Sequence, residues 1–243
     1  MIYLDPGIDL RTARIHDLSF VIRDHFRWPI SLQATESLED GGAFQTSSFT
    51  MSAHGFTHAD APAHVSVSGD SLDDVPATTW IGGASIVDLI EVKEQGAIDA
   101  RMLEQAGDHV RQGDIVLLKT NWDLRTSIET AAYWTEAPYI TLDGARWLKQ
   151  RGARCVGFDF PQDRAIGSML VGSRPPLSAF VTHDELLKHG VGLIEYLRGL
   201  GNISNRRVFF VAAPIKLAGA DGGPVRALAF EEYRSTYQEG SPQ

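Results

Sequence analysis

The segment His54-Gly-Phe-Thr-His58-Ala-Asp60-Ala-Pro-Ala-His64 concentrates groups that can bind a cation and move protons. Eight histidines in 243 residues place roughly 0.4 in any window of this length, yet this one holds three, with an aspartate among them. Neutral imidazoles suit Zn²⁺, Fe²⁺ or Cu²⁺, and added carboxylates extend the choice to Mn²⁺, whereas Ca²⁺ and Mg²⁺ favour all-oxygen shells. A closed structural zinc site would be rich in cysteine, and the one cysteine, Cys155, lies far along the chain.

Spacing limits how the cluster can act. On a flat strand His54 and His58 would share a face but stand about 13 Å apart, too far for two bonds of about 2 Å to one ion. On a helix they would approach to about 6 Å, while Asp60 and His64 would project well around the cylinder. Gly55 and Pro62 favour a bent path, so the cluster is expected on a loop or irregular turn after a strand ending near Ala53.

The elements that must position it alternate in period. Leu18, Phe20 and Ile22, and again Phe49, Met51 and Ala53, alternate as half-buried strands do. Ala84 to Ile90, Ile115 to Leu118, Cys155 to Phe160, Val191 to Leu197 and Val208 to Ala213 are short apolar runs that suit strands covered on both faces. Ile98 to Ala106 repeats at helical spacing, and Thr141 is placed to cap a helix carrying Ala145 and Leu148. Thr182-His-Asp-Glu185 has capping-box spacing with Gly190 as the stop, which puts His183 in a first helical turn. Ser37 to Ala43 and Pro161 to Ala179 read as long loops, the second a candidate lid or substrate wall. Strands alternating with helices indicate the α/β class, in one domain over residues 1–243.

Composition narrows the partners. Thirty-one acidic against 22 basic residues give a net charge of -9, a field that repels phosphate backbones and anionic membranes. Nucleic acid and membrane are therefore not expected partners. A lone cysteine forms no internal disulfide, the acidic first ten residues do not read as a signal peptide, and no apolar run reaches 18 residues. A cytoplasmic location is expected.

His-x-x-Thr-His-x-Asp-Ala-Pro-x-His resembles the signature of the cyclase family of metal-dependent hydrolases, which includes bacterial kynurenine formamidase and isatin hydrolase. Trp28-Pro29 resembles its early Trp-Pro element. Gly113-Asp114 to Thr120-Asn121-Trp122 resembles its Gly-Asp, apolar strand and Thr-Gly-Trp element. Val156-Gly-Phe-Asp159 is similar to its Ile-Gly-x-Asp strand, and Pro214 to Leu217 through Asp221 to Arg226 is similar to its closing segment.

The resemblance implies a mixed β-sheet core flanked by helices, of the swivelling β/β/α type, assembled as a homodimer or homotetramer. It implies metal ligation by His54, His58 and Asp60, completed by His183 and by Glu195 twelve residues later. His64 matches the family's proton acceptor and donor, and Trp28 an aromatic that touches substrate. Two departures stand out. Phe56 occupies a position where the family usually has glycine, which points to an altered pocket shape and makes Phe56 a second substrate-binding candidate. Asp159-Phe-Pro-Gln-Asp163 replaces Asp-Thr-x-Ser-x-Asp, which removes hydroxyls.

The expected activity is hydrolysis of an amide-like bond in a small aromatic substrate, an arylformamide or a cyclic amide. One or two Zn²⁺ or Mn²⁺ ions per subunit would lower the pKa of water from about 15.7 toward about 7, with His64 as general acid and base. The rival readings are a non-catalytic metal- or ligand-binding protein on the same fold and a lactone hydrolase or cyclase of the same family. A serine hydrolase is disfavoured by the absence of a Gly-x-Ser-x-Gly elbow. Glu195 lies in an apolar run where an unpaired carboxylate is costly, and a cation or a buried ion pair would each account for it. Asp159 raises the same question and is read as an acid that supports a ligand or the structure rather than as a ligand itself. His16, His25, His109 and His189 are assigned to ordinary surface or helix positions.

Overall fold

A computed structural model describes residues 12–232. Its strands are β1 (Arg14–Asp17), β2 (Ser31–Glu36), β3 (Thr46–Thr50), β4 (His58–Asp60), β5 (Ile81–Asp88), β6 (Ala97–Ile98), β7 (Ile115–Lys119), β8 (Tyr139–Ile140), β9 (Cys155–Phe158), β10 (Gly192–Glu195), β11 (Arg207–Val211), β12 (Gly222–Pro224) and β13 (Leu228–Glu231). The helices are α1 (Ala100–Ala106), α2 (Trp122–Arg125), α3 (Ala132–Thr135), α4 (Leu142–Gln150), α5 (Ala165–Met169) and α6 (Val181–Glu185).

Nine strands form one mixed sheet in the order β1-β13-β11-β5-β7-β9-β10-β4-β12. The parallel centre, β5-β7-β9-β10, coincides with four of the apolar runs, as expected for strands covered on both faces. Along β7, Ile115 and Leu117 enter one core and Val116 and Leu118 the other, which is the two-residue period of a strand. The first of these cores also gathers Ala229 of β13 and Ala59 of β4. Residues from opposite ends of the sheet thus share one cluster, so the sheet curls around it. The other face is covered by α1, α4 and an aromatic group that includes Trp28, Tyr133 and Trp134. This is the α/β class with a mixed sheet that the sequence implied.

Local signals held where the chain supplies its own partners. Thr141 caps α4 by accepting from the Gly144 N–H, and Asp99 caps α1 by accepting from Met102. Ile98 itself belongs to β6 rather than to the helix.

Tertiary partners overrode other signals. The half-buried strand expected over Leu18 to Ile22 is instead an extended segment with one bridge, Ser19 to Leu197, and the strand precedes it. Its bonds go elsewhere, Phe20 N–H to the Thr57 hydroxyl and Leu18 N–H to the Ala227 carbonyl. β3 stops at Thr50 and forms a hairpin with β2 in which every β3 residue is exposed, so it is not half-buried. The capping box is also corrected. α6 begins at Val181, and both the Thr182 N–H and hydroxyl donate to Asp163 instead of engaging Glu185. Gly190 does stop the following 3₁₀ turn, at φ +81°.

His16 and His25 are buried rather than superficial. His16 meets Glu231 at 2.7 Å, and His25 stacks on Trp28 while its Nε2 bonds the Ile128 carbonyl. The Ser37 to Ala43 loop is the turn region of the β2–β3 hairpin, and the Pro161 to Ala179 loop carries α5 and a 3₁₀ turn. Among the described residues no helix is long and apolar enough to cross a membrane.

Candidate metal centre

The bent path between positions 54 and 64 is built from three kinds of local structure. His54 sits on a turn after β3, His58 and Asp60 lie two apart on the three-residue β4, and Pro62 opens the 3₁₀ turn that ends at His64. β4 is held between β10 and β12, and its register sets Glu195 directly opposite His58. Gly222, opposite Asp60, must lack a side chain, because a Cβ there would lie 2.6 Å from the His54 ring.

These elements bring the other four expected ligands together around Asp60. His54 Nδ1 lies 2.7 Å and His58 Nε2 3.2 Å from Asp60 Oδ1, while His183 Nε2 is 3.7 Å from Oδ2. Glu195 lies 3.8 Å from His58 Nε2 and 3.4 Å from His183 Nε2. His64 stacks 4.0 Å, centroid to centroid, on His54 and is exposed at the rim, its Nδ1 3.5 Å from Asp221.

The residues fit a divalent cation. His58 Nδ1–H is taken by the Phe56 carbonyl at 2.8 Å, and His183 Nδ1 by Asp163 at 2.7 Å. Each arrangement leaves Nε2 free to ligate, as in metal-binding histidines generally. Asp60 Oδ2 is buried with no hydrogen-bond donor, a costly state for a carboxylate that a cation would relieve. Burial disfavours charged imidazole, yet Asp60 and Asp221 push His54 up to about 9, and Asp163, Glu195 and Asp60 push His183 up to about 9. The site's field thus favours positive charge. His64 moves the other way, chiefly because burial opposes its charged form.

The centre lines a cavity of about 680 Å³ together with Trp28, Tyr196 and Ile166, Met169 and Leu177 of the Pro161 to Ala179 segment. Phe56 is not in this wall. It lies behind Trp28, ring centroids 5.1 Å apart, at φ +58°. Asn121 also has positive φ, +57°. Both positions are glycine in the family pattern, because a left-handed backbone suits glycine.

Sequence reasoning missed the residues that orient the candidate ligands. Gln162 donates to Glu195, Asp163 holds His183, and Asp221 reaches His54 Nε2 at 3.0 Å. Asp159, by contrast, is a structural acid as expected: it accepts from the Thr120 N–H and hydroxyl and the Asn121 N–H, with burial pushing it up to about 7.

Fold and site together define a metal-dependent amide hydrolase. The profile of the family described as "putative cyclase" matches residues 16–162, and the chain belongs to that family. Kynurenine formamidase of Bacillus cereus is 30% identical over 203 residues, 82% of this chain and 87% of the relative. Isatin hydrolase A from Labrenzia aggregata shares the fold with a TM-score of 0.79 at 20% identity, covering 94% of this chain and 98% of that one. A potential metal-dependent hydrolase with cyclase activity matches with a TM-score of 0.67 at 26% identity, over 91% and 100% of the two chains.

Proposed function

We propose that this enzyme hydrolyses an arylformamide, releasing formate and an aromatic amine, with His54, His58, Asp60, His183 and Glu195 as metal ligands. The carrying observation is that the other four side chains gather around Asp60, whose buried Oδ2 has no donor among the described residues, in a cavity whose wall includes Trp28 and Tyr196. Kynurenine formamidases among its relatives favour the open-chain amide.

A bound divalent ion would supply Lewis acidity, acidifying water and polarising the substrate carbonyl. Trp28 stacks on the aryl portion and fixes the carbonyl toward the ligand cluster. His64, at the rim, takes the proton that water loses as its oxygen bonds to the formyl carbon. It then delivers a proton to the amine nitrogen as the carbon–nitrogen bond breaks. Phe56 shapes the pocket indirectly, by backing Trp28. Zinc or manganese, one or two ions per subunit, suits the mixed imidazole and carboxylate donors. A homodimer or homotetramer in the cytoplasm completes the reading, supported by the exposed apolar residues Leu32 and Phe49 on the β2–β3 hairpin.

Elemental analysis of the purified protein, paired with N-formylkynurenine and isatin assays before and after chelation, tests this. Bound metal with formamide hydrolysis that follows it is expected. Isatin turnover alone would move the substrate to the cyclic amides, and a metal-free protein inert with either added ion would leave the binding-protein reading.

A further inference from the structure

Two arginines in or beside the cavity wall, Arg27 and Arg174, are not used by the reaction scheme. Arg27 lines both the main cavity and a neighbouring one of about 530 Å³, which adds Arg174 and has no acidic residue among the described residues of its wall. In a chain of net charge -9, an acid-free pocket with two fixed cations is a local reversal of the protein's field, and such a reversal recruits anions.

Among the described residues no carboxylate neutralises either guanidinium. Arg27 stands 5.8 Å from the Trp28 ring centroid and 5.1 Å from that of Trp134. Stacking occupies the face of a guanidinium and leaves its in-plane N–H donors available. Arg174 donates to the carbonyl of Ser173, and among the described residues no carboxylate pairs with either arginine. Arg23, by contrast, is paired with Glu129.

Two aromatic steps separate Arg27 from the ligands. Trp28 lies 5.1 Å from Tyr196, and Tyr196 lies 5.6 Å from His58, centroid to centroid. A molecule with its amide at the cluster and its ring along this wall would carry its far substituent to Arg27.

We propose that Arg27, assisted by Arg174, binds a carboxylate on the substrate, so that the enzyme selects anionic aromatic amides over neutral ones. This deepens the hydrolase reading above and rests on it. The expected preference is about tenfold or more, the size of one hydrogen bond to a charged group.

The test compares kcat/KM for 4-(2-formamidophenyl)-4-oxobutanoate with that for its primary amide, in the wild type, Arg27→Met and Arg174→Gln. The wild type should favour the acid by about tenfold or more, Arg27→Met should bring the ratio near one, and Arg174→Gln should lower it. A ratio near one in the wild type, or one that survives Arg27→Met because both substrates slow equally, would overturn the proposal. Calorimetry of 4-oxo-4-phenylbutanoate against its amide reads the same preference without turnover. Arg27-dependent binding of the acid with no hydrolysis of either formamide would uphold the carboxylate site and defeat the hydrolase reading instead.

Discussion

His183 Nδ1 lies 2.7 Å from Asp163 Oδ2, and the same carboxylate accepts from the Thr182 N–H and hydroxyl. One acid therefore fixes both the start of α6 and the tautomer of a proposed ligand. Asp163→Asn should weaken metal binding about 10- to 100-fold, the usual effect of losing a partner behind a metal-bound histidine. Competition with a chromogenic chelator measures it, and unchanged affinity would show that Asp163 serves only the helix.

His64 and His58 should separate by their losses. His64→Ala should keep stoichiometric metal and lose about 10²- to 10⁴-fold in kcat, the typical worth of a general acid and base. His58→Ala should lose metal and activity together. Elemental analysis alongside kinetics distinguishes them, and a fully active His64→Ala would remove the role assigned to it.

Phe56 offers an inverted stability order. Truncating this buried ring should cost about 3–5 kcal/mol by either route. Phe56 holds φ +58°, which costs a residue with a Cβ about 1–2 kcal/mol. Phe56→Gly should therefore be more stable than Phe56→Ala by about 1 kcal/mol, against the usual order of the two residues. Urea denaturation of both variants tests it, with the ordinary order as the refuting result.

Asp114 gives a pH dependence away from the centre. Burial alone would raise its pKa, but bonds from Arg207, the Arg111 N–H and Ser85 outweigh it and hold the carboxyl below the ordinary 3.8. A depressed acid contributes fully above its unfolded value and loses that contribution as pH falls through the folded one. Asp114→Asn should cost about 1–2 kcal/mol at pH 7, solvent at the Arg207 end screening the pair. Thermal melts should show wild type and variant converging below about pH 4.

How much was legible follows from where each residue's partners lie. His54, His58, Asp60 and His64 stood out because an 11-residue segment carries them, and buried parallel strands were readable because burial on both faces makes a run uniformly apolar. His183 and Glu195 were reachable through resemblance, since nothing local links them to Asp60. The β4 pairing that sets Glu195 opposite His58 joins residues more than a hundred positions apart.

The sequence by itself determined the chemistry available: imidazoles and carboxylates in a bent segment, an acidic surface and an α/β pattern. Only the tertiary structure decided that His183 presents Nε2 because Asp163 holds its other nitrogen, that Phe56 backs Trp28 instead of facing the cavity, and that among the described residues no carboxylate pairs with Arg27. The first two depend on a hydrogen bond or contact between segments distant in the chain, and such partners are chosen by the packing of the whole sheet rather than by neighbours in the chain.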